Sequence, residues 1–184
     1  MSINKTLTQA QIIATRPGLS ASVTANAGAG KTFVLTARVL RLLLNGVKPG
    51  KILCLTYTKA AAAEMNERIS KQLQQWALVS DDELRTQLKE LIEVDPSEEQ
   101  LKIARQLFSA TLESMPPPRI QTIHSFCQDI LKRFPLESGV QPYFEVIDDI
   151  TANELMSETK QRLLSKIQVD KDIVAAVSYI APRS

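Results

Sequence analysis

Histidine and cysteine are scarce in this chain, which has one histidine and two cysteines among 184 residues. His124 has no second histidine to act with, so a histidine dyad and a multi-histidine metal site are excluded. Cys54 and Cys127 lack the spacing of metal ligands, and two cysteines do not make a disulfide scaffold at this length. We therefore expect both to be buried, reduced thiols of a cytoplasmic protein.

Long apolar runs and strong net charge are also missing. No run is long enough to span a bilayer, and the first twenty residues lack the basic start and apolar stretch of a secretory signal. The formal net charge of +2 does not by itself indicate a nucleic-acid partner, although it permits a local basic groove. Because apolar residues make up 44% and charged residues 23%, we expect a soluble, intracellular globular protein with no membrane partner.

Apolar runs alternate with helical patterns between Ser22 and about Arg68, which is typical of βαβ units and a parallel sheet. The pattern predicts a strand over Ala21–Thr24, a helix over Phe33–Leu44 and a second strand over Ile52–Thr56. The second strand is continuously apolar, which favours burial on both faces. The predicted fold class is therefore α/β, with a parallel sheet flanked by helices.

The middle of the chain has helical patterns and no strand signal. An alanine-rich helix is predicted from Lys59 to about Trp76, and a charged helical region follows. Asp95 is the predicted N-cap of a helix with Pro96 at its first position. Three prolines, at positions 116–118, end this region because proline cannot continue a helix.

Shorter elements are predicted after the prolines. They are a strand over Arg119–Thr122, a helix over Ser125–Phe134 stopped by Pro135, an extended segment over Tyr143–Ile147, a helix from a capping box at Thr151–Glu154 to about Lys166, and one more helix before Ser184. Four basic side chains on these and the earlier helices are expected to be solvated surface charges. They are Arg38, Arg41, Lys132 and Arg133.

A phosphate cradle is indicated between the first predicted strand and helix. Its eight residues are Ala25, Asn26, Ala27, Gly28, Ala29, Gly30, Lys31 and Thr32. Small residues let backbone N–H groups converge on an anion, and the start of the following helix adds open amides and a positive dipole end. Lys31 is predicted to reach the β- and γ-phosphates, and the Thr32 hydroxyl to bind Mg²⁺. The alternative is a small-residue turn that binds nothing.

Two polar segments follow the later strands, at the carboxyl ends where parallel sheets bind ligands. One is Thr56-Tyr57-Thr58-Lys59, and the other contains Thr122 and His124. Each offers hydroxyl groups, a cation or imidazole, and an aromatic ring, which suits a nucleic-acid strand with phosphates and stacked bases.

Together these segments resemble the UvrD/Rep-type helicases, which are ATP-driven motors that move along single-stranded DNA. The matching stretches are Ala25–Thr32, Ile52–Met65 and Thr122–Glu137, in the family's order. The first is especially similar to the AddA-type subunits of bacterial helicase–nucleases that repair double-strand breaks by recombination. The resemblance implies a P-loop, RecA-like motor domain that uses ATP and Mg²⁺, contacts single- and double-stranded DNA, and works with a second, AddB-like subunit.

The resemblance also assigns roles to individual residues. It implies that Gln11, rather than Gln9, reads the adenine base, since a carboxamide offers both a donor and an acceptor. Lys31 and Thr32 would be the catalytic residues of the nucleotide site, with Thr32 as the metal ligand. The implied DNA-binding residues are Thr56, Tyr57, Thr58, Lys59, Thr122 and His124.

Three of these roles have plainer alternatives. Gln11 could be a solvated glutamine at a helix start, Tyr57 a core aromatic at a strand end, and His124 a packed structural residue beside Phe126. Lys59 also stands where many relatives have asparagine followed by lysine, so the resemblance does not fix its contact.

An ATPase needs an acid pair that holds Mg²⁺ and positions water, and no stretch of this sequence fits that role well. Residues 78–83 and 144–149 imitate it, but a serine interrupts the first and Glu145 the second. The resemblance implies that the true pair lies beyond residue 184, so the chain would be the N-terminal portion of a larger protein, inactive on its own. Residues 1–149 would form part of the first motor domain, with a helical insertion at about 70–118, and residues 150–184 would begin a helical insert.

Two other functions are compatible with a phosphate loop. A small P-loop nucleotide kinase or phosphotransferase would need an acceptor pocket and lid arginines, and it gives the two polar segments no role. A non-catalytic domain that binds nucleotide without turnover is also compatible with the sequence.

Overall fold

A computed structural model describes residues 8–24, 26, 28, 30–165 and 179 of the chain. The elements in chain order are α1 (Gln9–Thr15), α2 (Lys31–Leu44), a 3₁₀ turn (Pro49–Lys51), β1 (Leu53–Thr56), α3 (Lys59–Leu78), α4 (Asp81–Ile92), α5 (Glu98–Leu112), β2 (Arg119–Thr122), α6 (Ile123–Arg133), α7 (Pro135–Ser138) and α8 (Asp149–Ser165). The chain divides into two compact units between Ile130 and Leu131. The helix predicted before Ser184 lies outside the described residues.

The two strands form a parallel pair, as predicted. Leu53 pairs with Arg119, and Thr56 pairs with Thr122 at the carboxyl end. The expected burial of β1 on both faces is wrong, because Leu53 and Leu55 are 44% and 42% exposed. Nothing in the described part of the chain covers that face, while Cys54 on the opposite face is half-buried.

Two predicted extended segments do not form strands. Residues 21–24 are irregular and exposed, and the only strand pairing among the described residues is that of β1 with β2. A strand needs a neighbour for its N–H and C=O groups, which local sequence does not reveal. Tyr143–Ile147 is also irregular, and Tyr143 has φ +66°, which interrupts an extended backbone.

The first unit has one apolar core made by α2 to α5. The helical region predicted after Lys59 is confirmed as three helices, α3, α4 and α5. Their buried faces follow helical spacing and meet α2 in one cluster. Its main members are Leu40, Leu43, Met65, Ile69, Leu73, Trp76, Leu84, Leu88, Leu101, Ala104 and Leu107.

The start of α5 differs from the prediction. Ser97, not Asp95, is the N-cap, and the helix begins at Glu98 rather than Pro96. The Ser97 hydroxyl accepts the Gln100 N–H at 3.2 Å, and the Gln100 side chain accepts the Ser97 N–H at 2.9 Å. This reciprocal pair satisfies two open donors, which a single aspartate cap does not do.

The second unit holds two further differences. Pro135 does follow the end of α6, but it also begins α7, at the position where a missing N–H costs nothing. Helix α8 begins at Asp149, before the predicted capping box at Thr151. The Asp148 carboxylate accepts the Thr151 N–H at 2.7 Å, and this hydrogen bond lowers the pKa of Asp148.

The cysteines fit the expectation only in part. Both thiols are free. Cys54 is half-buried, and burial raises its pKa, but Cys127 is exposed, so its expected burial is wrong. No helix in the described ranges is long and apolar enough to cross a membrane.

Candidate nucleotide and DNA sites

The phosphate loop leads directly into α2. Gly28 and Gly30 have φ values of +79° and +89°, which suit glycine because it has no Cβ to clash. Gly30 is the N-cap of α2, and no side chain caps the first amides of the helix, which is the end of a helix that favours an anion. Ala25, Ala27 and Ala29 lie outside the described residues.

Lys31 and Thr32 are the first two residues of α2. Lys31 is exposed, and its Nζ donates to the carbonyl oxygen of Asn26 at 3.0 Å. This bond holds the ammonium beside Asn26 of the loop. Thr32 is half-buried at the same end of the helix. The structure therefore brings the predicted phosphate and metal ligands together.

Gln11 lies against this loop and Gln9 does not. A Cβ placed on Gly30 would lie 3.6 Å from Gln11 Nε2. Gln11 Oε1 accepts the Thr8 N–H at 3.0 Å in a capping box, and a carboxamide oxygen can accept a second hydrogen bond. Gln9 is exposed, whereas Gln11 is half-buried. The position favours Gln11 as the residue that contacts a base.

Arg38 and Arg41 are not the solvated charges that the sequence suggested. Arg38 donates to the carbonyl oxygens of Ala14, Arg16 and Leu19. Arg41 is only 9% exposed and donates to Thr15 Oγ1 at 2.8 Å. Burial lowers its pKa, while the Glu93 carboxylate raises it. One signal in the sequence was available: Arg41 stands between the apolar residues Leu40 and Leu42, on a helix whose neighbours are buried.

The other two basic residues match the prediction. Lys132 and Arg133 are exposed, and the Lys132 ammonium lies 6.0 Å from the ring centre of Phe144 in the second unit.

The first polar segment connects β1 with α3. Tyr57 is 86% exposed, which excludes the alternative of a core aromatic. The Thr58 hydroxyl caps α3 by accepting the Ala61 N–H at 3.1 Å, and Lys59 is exposed in the first turn. Thr56 donates to the carbonyl oxygen of Thr58 at 3.0 Å. The two threonines therefore hold the turn that presents the ring and the ammonium.

The second polar segment joins β2 to α6. Thr122 is 6% exposed, and its hydroxyl accepts the Ser125 N–H at 3.1 Å. His124 is exposed, unlike a packed structural histidine. Because Thr56 pairs with Thr122, Tyr57 and His124 follow neighbouring strand ends at one edge of the sheet. The described residues contain no group of three or more His, Cys, Asp or Glu side chains that could hold a metal ion.

Comparison with known proteins agrees with this arrangement. Residues 6–180 match the UvrD/REP helicase N-terminal domain. The chain is similar to the A subunit of the ATP-dependent helicase/nuclease of Lactobacillus gasseri, at 36% identity over 148 residues, which is 80% of this chain and 10% of that protein. The protein of the same name from Enterococcus faecalis is 35% identical over 136 residues, or 74% of this chain and 9% of the relative.

A third relative with this name, from Desulforamulus reducens, is 33% identical over 147 residues, which is 78% of this chain and 10% of that protein. The chain thus spans about a tenth of the length of the curated relatives it matches. Its match to the N-terminal domain covers nearly all of its residues, including the phosphate loop and both polar segments. The chain belongs to the UvrD/REP helicase family.

Proposed function

We propose that this chain is the ATP-binding N-terminal portion of an ATP-dependent DNA helicase–nuclease that acts in recombinational repair of double-strand breaks. The match of residues 6–180 to the UvrD/REP helicase N-terminal domain carries the proposal. The relatives' own name, which describes an ATP-dependent helicase/nuclease, supports the specific class. In the whole protein, ATP hydrolysis drives translocation on single-stranded DNA. No observation supports the kinase alternative.

The nucleotide site is built around the start of α2. Gln11 contacts adenine, residues 25–30 surround the phosphates, Lys31 binds the β- and γ-phosphates, and Thr32 binds Mg²⁺. The loop fits this use because Gly28 leaves open space, with no atom within 4 Å of a Cβ placed there. ATP with Mg²⁺ supplies the phosphoryl-transfer chemistry, while these residues bind and orient it.

The DNA site is the sheet edge where β1 and β2 end. Tyr57 stacks on a base, while Lys59 and His124 contact the sugar–phosphate backbone. Thr56, Thr58 and Thr122 act mainly by holding the two turns, because their hydroxyls already bond to neighbouring backbone groups.

The two strands belong, in this proposal, to a RecA-like motor domain. Residues 1–149 form part of the first motor domain, with the helices of about 70–118 as an insertion, and residues 150–184 begin a helical insert. An AddB-like subunit is the proposed partner of the whole protein, which we place in the cytoplasm.

The isolated chain should bind ATP with Mg²⁺ weakly and hydrolyse it negligibly, because neither stretch that imitates the acid pair fits the role of holding Mg²⁺ and positioning water. Asp81 pairs with Arg105 at 2.6 Å, and Asp148 caps α8. Fluorescence titration with a labelled ATP analogue measures binding, and phosphate release measures turnover. Robust turnover by residues 1–184 that disappears in Lys31→Ala would contradict the proposal and favour the kinase.

Replacing Tyr57 by alanine should weaken binding to a single-stranded oligonucleotide by about 1–3 kcal/mol, because the stacking ring is lost. Anisotropy of a labelled oligothymidine measures the affinity. Tyr143→Ala is the matched control, since Tyr143 is 97% exposed in the other unit. Equal affinities for the native chain and Tyr57→Ala, or equal losses in both variants, would remove Tyr57 from the DNA site.

A further inference from the structure

Two arginines of α2 hold the C-terminal end of α1. Helix α1 has seven residues, and a helix this short is marginal without tertiary contacts. Of its last carbonyl groups, that of Ile12 accepts the Thr15 hydroxyl at 2.7 Å and that of Ile13 accepts the Arg16 N–H at 3.2 Å, which leaves Ala14 for a donor outside the helix. Arg38 donates to the Ala14 carbonyl, Arg41 donates more weakly to that of Ile12, and the positive charges of both complement the negative end of the helix dipole.

Arg38 acts on three carbonyl groups at once. Its Nη1 donates to the oxygens of Ala14 at 2.8 Å and Arg16 at 3.0 Å, and its Nη2 donates to Leu19. A planar guanidinium can bridge several acceptors in this way, whereas a lysine ammonium cannot reproduce the fork. Arg38 therefore fixes both the end of α1 and the turn that follows it.

Arg41 is the more buried of the two. It donates to Thr15, whose side chain is fully buried, and more weakly to the Ile12 carbonyl at 3.5 Å. The Glu93 carboxylate favours its charge, and Glu93 also pairs with Arg16 at 3.5 Å. A buried charge tolerates little displacement of its partners, because an unpaired one is costly. The end of α1 is thus held against α2 in one position.

The contacts of Arg38 and Arg41 with α1, here called the arginine clamp, hold Gln11 in place relative to Lys31 and Thr32. Gln11 is on α1 beside Gly30, while Lys31 and Thr32 are on α2. Arg38 lies eight residues after Gly30, or about 12 Å along the helix axis, so its contribution to the site passes through α1. We propose that Arg38 and Arg41 are positioning residues for nucleobase selectivity, which rests on the proposed function of the site.

Arg38→Lys and Arg41→Lys test this, since both keep the charge and lose the fork. The dissociation constants for ATP, GTP and inorganic tripolyphosphate, each with Mg²⁺, are measured by competition against a fluorescent ATP analogue. We expect the preference for ATP over GTP to fall by about three- to tenfold, the value of one lost hydrogen bond, while tripolyphosphate affinity is unchanged. Far-UV circular dichroism checks that each variant folds. If Arg41→Lys does not fold, the test rests on position 38 alone, where Arg38→Gln is measured as a second variant.

Arg105→Lys is the matched control. Arg105 also donates to a helix carbonyl, that of Trp76 at 2.9 Å, but it lies in the helical insertion, and its replacement should leave the ATP preference unchanged. An unaltered preference in the folded position-38 variants, or a loss of tripolyphosphate affinity as large as that of ATP, overturns the inference. A native chain that binds neither ATP nor tripolyphosphate overturns the proposed function instead.

Discussion

Trp76→Ala should destabilise the first unit by about 3–5 kcal/mol, more than any other single truncation in its core. Trp76 is 1% exposed and packs in the cluster formed by α2 to α5. Alanine would leave a cavity that four packed helices cannot fill without moving. Urea unfolding followed by far-UV circular dichroism measures the change in the free energy of unfolding.

Trp76→Phe and Leu78→Ala are the controls for this prediction. The Trp76 indole N–H is buried and has no hydrogen-bond partner among the described residues. Phenylalanine removes that unsatisfied donor, whose burial costs about 1–3 kcal/mol, and this gain offsets part of the lost volume. Leu78 is 76% exposed at the end of the same helix, so its truncation should change stability by no more than about 0.5 kcal/mol. A loss at Leu78 as large as that at Trp76 would contradict the assigned core.

The helices were predictable because their signals are local. The spacing of apolar residues placed α2 and α3 within a few residues of their observed bounds, and α5 ends at Leu112, before the three prolines. Strands depend on partners that local sequence does not contain. Arg119–Thr122 was predicted correctly, but Ala21–Thr24 finds no partner in the described part of the chain. The predicted caps of α5 and α8 were wrong for a related reason. Each helix start has two residues that can act as a cap, and the backbone geometry, which the sequence does not show, selects Ser97 and Asp148.

In the candidate site, too, features with a local sequence signal were predicted, and features that depend on distant partners were not. The glycine–lysine–threonine spacing predicted a loop that leads into a helix, and the structure has that helix start, while the 86% exposure of Tyr57 excludes only the alternative of a core aromatic. The contacts of Arg38 and Arg41 with α1 could not be predicted from the sequence, although the apolar residues on both sides of Arg41 indicate its burial. Arg38 and Arg41 bond to carbonyl groups 19 to 29 residues earlier in the chain, and carbonyl acceptors leave no trace in side-chain identity.

The first turn of α2 differs from those of α3, α4 and α5 because it has no side-chain cap. The hydroxyl groups of Thr58, Ser80 and Ser97 cap α3, α4 and α5, and the first turns of α4 and α5 also carry acidic residues, which interact favourably with the positive end of a helix dipole. Helix α2 has no acidic residue and no side-chain cap there, and it begins with Lys31. A cation at this end is unfavourable to the helix in isolation, so an anion bound at the loop would relieve the repulsion.

Lys31→Ala should therefore weaken binding of ATP with Mg²⁺ by about 10- to 100-fold, because a charge-assisted contact to the phosphates is lost. Without nucleotide, its thermal stability should equal or slightly exceed that of the native chain, since the unfavourable charge is gone. The rise in melting temperature on adding ATP with Mg²⁺ should largely disappear, as ligand stabilisation follows affinity. Lys102→Ala, which removes an exposed lysine from α5, is the control and should keep that rise. If Lys31→Ala keeps it as well, the ammonium is not a phosphate ligand, and the loop binds through its amides alone.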